Sequence, residues 1–198
     1  MFDTRLRQLI DPALNRMGAL IAHSGISANA ITLTGAVLVV PLFYALLAQS
    51  WTLALTLLIA NRLLDGLDGA VARIRAPSLW GGYLDSLCDY VFYIAVPLGF
   101  AFAAPANELS ALILVASFTL TAVSFLALAE IMAGRDLGLG SKAFTYSTGL
   151  MEGGETIAFF VAMCLFPQLF PQLALVFATL CLVTVLQRLW LARRLLKA

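Results

Sequence analysis

Six apolar runs, at approximately 31–48, 53–72, 84–104, 109–132, 150–166 and 173–191, fill most of this 198-residue chain and leave only short connections between them. An apolar helix of about 20 residues matches the hydrocarbon thickness of a bilayer, and a chain of this length has room for roughly five to seven such crossings. The balance of residues agrees, with 62% hydrophobic, 12% charged and a mean hydropathy of +0.95. The expected fold is therefore an all-α integral membrane protein, a single domain over 1–198 with six transmembrane helices in 26–198. The net charge of +1 is uninformative as a total, and no nucleic acid is expected as a partner.

Residues 1–25 carry Asp3, Asp11 and Pro12 among short apolar groups, so they lack the continuous apolar core of a cleaved leader. Arg5, Arg7 and Arg16 alternate with Leu6, Leu9, Ile10, Leu14 and Met17 at roughly helical spacing, which predicts an amphipathic helix lying in the membrane interface. Pro41 and Pro97 fall inside spans, where they can kink a helix. Cys88, Cys164 and Cys181 stand singly in apolar runs and read as packing residues. His23, between the interfacial helix and the first span, is given no catalytic role.

Charge is distributed asymmetrically. The connections at 49–50, 105–108 and 167–172 contain no Lys or Arg, whereas Arg5, Arg7, Arg16, Arg73, Arg75, Arg135, Lys142, Arg193, Arg194 and Lys197 fall on the other side. By the positive-inside rule both termini and the second and fourth loops face the cytoplasm, as expected of a multi-pass protein of the inner, cytoplasmic membrane. Most acidic residues lie toward that side too, which places the polar chemistry there.

Asp65, Asp68, Asp85 and Asp89 sit within or beside the second and third spans. Acids at such depth are costly unless paired, metal-bound or facing water. Spacings of three and four put each pair on one face of its helix, and the short 75–82 connection predicts that the two helices are antiparallel neighbours. Converging carboxylates without histidine or thiolate favour hard divalent cations, Mg²⁺, Mn²⁺ or Ca²⁺, and clusters that bind Mg²⁺ usually serve a phosphate-bearing substrate. Gly66, Gly69, Gly81 and Gly82 leave room for a bulky ligand beside the acids, and Arg73 is placed to grip a phosphate. The alternative is a set of structural ion pairs with Arg62, Arg73 and Arg75.

The run Asp65-Gly-Leu-Asp68-Gly69-Ala-Val-Ala72-Arg73, followed by Gly81, Asp85 and Asp89, resembles the DxxDGxxAR…GxxxDxxxD signature of the CDP-alcohol phosphatidyltransferase family, with every motif position filled. The resemblance implies an enzyme of phospholipid biosynthesis that moves the phosphatidyl group of CDP-diacylglycerol, or a related CDP-alcohol, onto an acceptor alcohol and releases CMP. It further implies that Asp65, Asp68 and Asp85 bind two metal ions, with Asp89 belonging to the same metal site and acting as general base. Gly69, Gly81 and Arg73 would then lie against the nucleotide, and the protein would be a homodimer. Asn29 and Thr32, before and within the first span, match a second element of the family and are expected at the nucleotide, although the proline that often precedes Asn29 is missing. Asn29 also suits a helix N-cap.

The acceptor side is read from 135–160. Arg135 and Lys142 suit an anionic acceptor such as glycerol 3-phosphate or inositol phosphate, and Ser141-Lys142-Ala143-Phe144-Thr145 loosely resembles a segment of phosphatidylglycerophosphate synthases. Glu152 and Glu155 would repel such an anion, and suit a polyol or amino alcohol or pair with those bases. Two other functions use acids in membrane helices. A UbiA-type prenyltransferase has aspartate motifs of other spacing, and a divalent-cation transporter would leave DGxxAR idle.

Overall fold

The computed structural model describes residues 2–134, 150–151 and 153–197, and among them there is helix but no strand. The helices are α1 (Phe2–His23), α2 (Ala28–Leu47), α3 (Trp51–Arg75), α4 (Leu79–Ala103), α5 (Glu108–Gly134), α6 (Gly153–Leu165) and α7 (Phe170–Lys197). Short 3-10 turns at Pro105–Asn107 and Pro167–Leu169 open the chain into α5 and α7, with the fixed φ of each proline setting the first turn. The described helices make this a multi-pass membrane protein. Four stretches, Ala28–Leu47, Leu79–Ala103, Pro105–Ile131 and Pro167–Leu196, are long and apolar enough to cross a bilayer. Helix α3 has the length but carries Arg62, Asp65, Asp68, Arg73 and Arg75, and α6 is a 13-residue apolar helix.

Local signals explain where helices begin. Ser27 caps α2 by accepting the Ala30 N–H at 3.2 Å, and Ser78 caps α4 by accepting the Gly81 N–H at 3.0 Å. Asn29 therefore sits inside α2, and the capping role considered for it belongs to Ser27. Across the opposite connection, Gln49 donates from Nε2 to the Ala103 carbonyl at 2.8 Å, and Asn107 donates from Nδ2 to the Phe100 carbonyl at 2.9 Å. These bonds satisfy carbonyls at the end of α4 that the helix leaves without partners.

The main core is aromatic. Phe92 and Phe100 of α4, Phe160 of α6, and Phe170 and Phe177 of α7 are fully enclosed. Phe100 stacks between Trp51 at 5.3 Å and Phe170 at 4.4 Å, and Phe118 of α5 meets Phe177 edge-on at 5.2 Å. Outward faces are equally apolar, as at Val37, Val40 and Tyr44 on α2, a pattern that lipid tolerates and water does not. Arg188, buried in α7, donates from Nη1 to the Thr121 carbonyl of α5 at 2.9 Å, tying the last helix to its neighbour.

A smaller cluster joins α1 to the bundle: Leu14 and Ala22 pack with Ile31, Leu67 and Val71. Close approach is possible because Gly18 and Gly66 have no side chains. A Cβ at Gly18 would lie 2.6 Å from Ala70 Cβ, and one at Gly66 would lie 2.7 Å from Leu14 Cδ1. Gly66 thus serves helix packing, not ligand access as its place in the motif suggested. Ile10, Met17 and Leu20 of α1 face outward and are exposed, as an interfacial helix requires.

Helices α3 and α4 are not the close neighbours that the short connection predicted. Helix α2 packs against both, and no comparable contact joins α3 to α4. The facing acids explain this. Apposed carboxylates supply no apolar surface to bury and repel one another, so the two helices lean on α2 and leave a gap between their acidic faces.

Candidate active site

The acids come together in that gap. One oxygen from each of Asp65, Asp68 and Asp85 lies within 4.8 Å of the others. Asp65 and Asp68 share a face of α3, and Asp85 stands a turn and a half into α4. Asp68 is buried, with 5% exposure, and accepts a 2.6 Å hydrogen bond at Oδ2 from the hydroxyl of Thr32 on α2. Hard, convergent carboxylate oxygens in a partly buried setting fit a divalent cation such as Mg²⁺ or Mn²⁺, and nothing in the donor set suits a soft metal.

Asp89 stands one turn beyond Asp85 and is paired with Arg62. Its Oδ1 accepts from Arg62 Nη1 at 2.9 Å, and the same nitrogen lies 3.6 Å from Asp65 Oδ2. Of the three arginines considered as structural partners for the acids, Arg62 forms these pairs. Arg73 instead donates from Nη2 to Asn15 Oδ1 of α1 at 3.0 Å, and Arg75 donates to the Ala22 and Gly25 carbonyls at the end of α1.

Beside the trio opens a cleft of about 280 Å³, lined by residues including Asn29, Thr32, Gly69, Arg75, Gly81 and Gly82. Its walls need glycine at one point in particular: a Cβ at Gly81 would fall 3.0 Å from both Asn29 Oδ1 and Ser78 Oγ. At Gly82 a Cβ would meet nothing within 4 Å, so that position opens directly onto the space. Asp68 and Asp85 form the part of the lining closest to the candidate metal ligands. The lining combines apolar residues with the hydroxyl and amide groups of Asn29, Thr32 and Ser78, the Arg75 guanidinium and the carboxylates of Asp68 and Asp85. Such a slot accommodates a phosphorylated ligand whose charge a cation can neutralise.

Measured against the residues picked out by sequence, the cleft gathers Asn29, Thr32, Gly69 and Gly81 but not Arg73, whose guanidinium is turned to α1. Arg75 and Ser78 line it without having been expected there. The serine was detectable as an N-cap preceding an apolar helix. A second, narrower space is lined by all four aspartates together with Asn61, Arg62 and Cys88, so Cys88 is half-buried beside the acids while Cys164 and Cys181 are core residues. Of the acceptor-side residues, Arg135, Lys142 and Glu152 lie outside the described residues. Glu155 is in the first turn of α6, with Oε2 buried and without a hydrogen-bond partner among the described residues.

Relatives match this chain in sequence, and solved structures match its fold. Inner membrane protein YnjF of Escherichia coli (strain K12) is 42% identical over 195 residues, covering 96% of this chain and 94% of its own. Archaetidylinositol phosphate synthase of Pyrococcus horikoshii is 29% identical over 193 residues, covering 96% of each. Among solved structures, Mycobacterium tuberculosis phosphatidylinositol phosphate synthase (PgsA1) with CDP-DAG bound superposes with a TM-score of 0.72 at 20% identity, covering 89% of this chain and 91% of that one. The same enzyme in complex with manganese and citrate superposes with a TM-score of 0.71, again at 20% identity, covering 89% and 87%. The sequence profile of CDP-alcohol phosphatidyltransferases matches residues 25–190, which include the four aspartates and the cleft-lining positions, and the chain belongs to that family.

Proposed function

We propose that this chain transfers the phosphatidyl group of CDP-diacylglycerol, or of a similar CDP-alcohol, to the hydroxyl of a small acceptor alcohol and releases CMP. The observation that carries this reading is the convergence of Asp65, Asp68 and Asp85 within 4.8 Å beside a cleft lined by Asn29, Gly69 and Gly81. The acceptor oxygen forms a bond to the phosphorus that bears the diacylglycerol, the P–O bond to CMP breaks, and the hydroxyl proton passes to Asp89. Asp65, Asp68 and Asp85 would hold two Mg²⁺ or Mn²⁺ ions, whose charge neutralises the pyrophosphate and stabilises the departing CMP. Asn29, Thr32, Gly69 and Gly81 line the nucleotide's place, and Arg73 approaches it from the α1 side.

The six-crossing arrangement requires α3 and α6 to span with the four longer apolar helices. In that arrangement residues 1–25 lie in the interface, residues 26–198 form the catalytic domain, and both termini and the cleft face the cytoplasm of an inner membrane. The working unit is a homodimer in the bilayer.

Glycerol 3-phosphate is one acceptor, supported by Lys142 and Arg135 near the segment that precedes α6. Inositol phosphate is the other, supported by the activities for which the Pyrococcus and Mycobacterium relatives are named. Incubating the purified protein with CDP-diacylglycerol and Mn²⁺ against glycerol 3-phosphate, inositol phosphate, glycerol, serine and ethanolamine, with CMP release as the readout, separates these. CMP release that depends on one alcohol identifies the acceptor, and no release with any of them overturns the assignment of the donor.

A further inference from the structure

Asp68 and Arg75 both line the cleft and both belong to α3. Almost two full helical turns separate them, so they share one face of the helix and lie about 10 Å apart along its axis. Asp68 is one of the three carboxylates that converge at the candidate cation site, and cations there meet the pyrophosphate of the donor. From the pyrophosphate the diacylglycerol leads into lipid, whereas the nucleoside leads along the cleft to its polar end, where α3 finishes in Arg73 and Arg75. The base therefore comes to the level of Arg75. That side chain is held in place: Nη2 donates to the Ala22 carbonyl at 2.6 Å and Nη1 to the Gly25 carbonyl at 3.2 Å, so two anchors at the end of α1 fix the guanidinium plane. Gly25 has a φ of 91° and Ala76 one of 72°, so the chain turns sharply on both sides of this contact. A guanidinium carries five N–H donors, and the two anchors leave three for a ligand in the cleft.

We propose that Arg75 is a specificity-determining residue for the donor: anchored on the end of α1, its fork reads the base by donating to N3 and O2 of cytosine. These are adjacent acceptors in the plane of the ring, and parallel N–H groups match them as they match the two oxygens of a carboxylate. In uracil N3 carries a hydrogen, so the same fork would face a donor and lose one of its two bonds. A site that spends a fixed polar group on one analogue rejects another that leaves that group unpaired. The inference rests on the reading of the donor as a CDP-alcohol.

The test titrates CMP and UMP calorimetrically in the presence of Mn²⁺ into the unsubstituted protein, Arg75→Met and Arg75→Lys, with the melting temperature without nucleotide as the check on folding. The unsubstituted protein should bind CMP about tenfold or more tightly than UMP. Arg75→Met should weaken CMP by at least that factor and leave UMP within about threefold, so that the two nucleotides bind alike. Arg75→Lys keeps the charge without the fork, and its preference for CMP should also fall by about tenfold. The ratio of the two affinities is the deciding quantity, because a contact to phosphate or a role in packing weakens both nucleotides equally. An equal loss for CMP and UMP, or a ratio that neither variant changes, overturns the proposal. Should the methionine variant not fold, the lysine variant decides: a lowered ratio supports the proposal and an unchanged ratio overturns it. No binding of CMP to the unsubstituted protein removes the CDP-alcohol reading and this inference with it, whereas CMP binding that is as tight as UMP binding removes the inference alone.

Discussion

The hydroxyl of Thr32 donates to Asp68 at 2.6 Å from a helix that carries no acidic residue of its own, so one of the three clustered carboxylates is oriented from outside the pair of helices that supply them. Hydrogen bonds to charged groups contribute about 1.5–3 kcal/mol, so Thr32→Val, which keeps the shape and removes the donor, should cost roughly 10-fold or more in kcat/KM. The Mn²⁺ concentration for half-maximal CMP release should rise in parallel. Titrating Mn²⁺ against activity for both proteins checks this; superimposable curves would leave the bond without a part in the reaction.

The unsubstituted protein should be stabilised against heat by CMP only when Mg²⁺ or Mn²⁺ is present, because the nucleotide's phosphate and the carboxylates of Asp68 and Asp85 repel one another without a cation between them. A divalent-cation transporter would show stabilisation by the metal alone. Melting curves with metal, CMP, both and neither distinguish the two behaviours.

Replacing Asp65 by asparagine removes one charge from the trio and should weaken the metal effect and the CMP effect together. Calorimetric titration of Mn²⁺ into the variant reads this directly. Unchanged affinity for the ion takes Asp65 out of the ligand set.

Two glycines should separate stability from function. Gly18→Leu would force α1 off α3, since even its Cβ falls 2.6 Å from Ala70 Cβ, and overpacking of this kind costs about 1–3 kcal/mol. A fall of several degrees in melting temperature is expected. Gly82→Ala meets open space, so its melting temperature should hold, yet the added methyl enters the cleft and should raise KM for the donor. A raised KM without thermal loss marks the cleft as the donor's binding place.

Residue type and spacing made the membrane class and the acids legible, because a carboxylate in an apolar run is conspicuous at any position. What periodicity could not convey was which third element each residue would meet. Gly66 and Gly69 look alike in the motif, but only the docking of α1 shows that the first packs against Leu14 while the second faces the cleft. Arg73 and Arg75 are two residues apart, and the path of the chain through Gly25 and Ala22 decides that Arg75 reaches the rim. The dipeptide Asn61-Arg62 was visible as a polar break in an apolar run, but its partners, the Gly35 carbonyl and Asp89, come from helices on either side. The gap between α3 and α4 was likewise hidden, since a short connection signals adjacency in sequence and leaves open whether another helix fills the space.

Because both acid-bearing helices pack against α2, the separation of their carboxylates depends on contacts far from them. One close approach is at Gly99 of α4, where a Cβ would fall 2.8 Å from Leu46 Cβ on α2. Asp85 lies 14 residues away along the same helix, a lever arm of about 21 Å at 1.5 Å per residue. Pivoting α4 by only about 3° at that fulcrum swings the Asp85 end by about 1 Å, a displacement of the size that can cost 10²-fold in rate. The calibration of the site is therefore kept by an apolar pair at the opposite end of the helix, where neither residue carries a charge or touches the cleft.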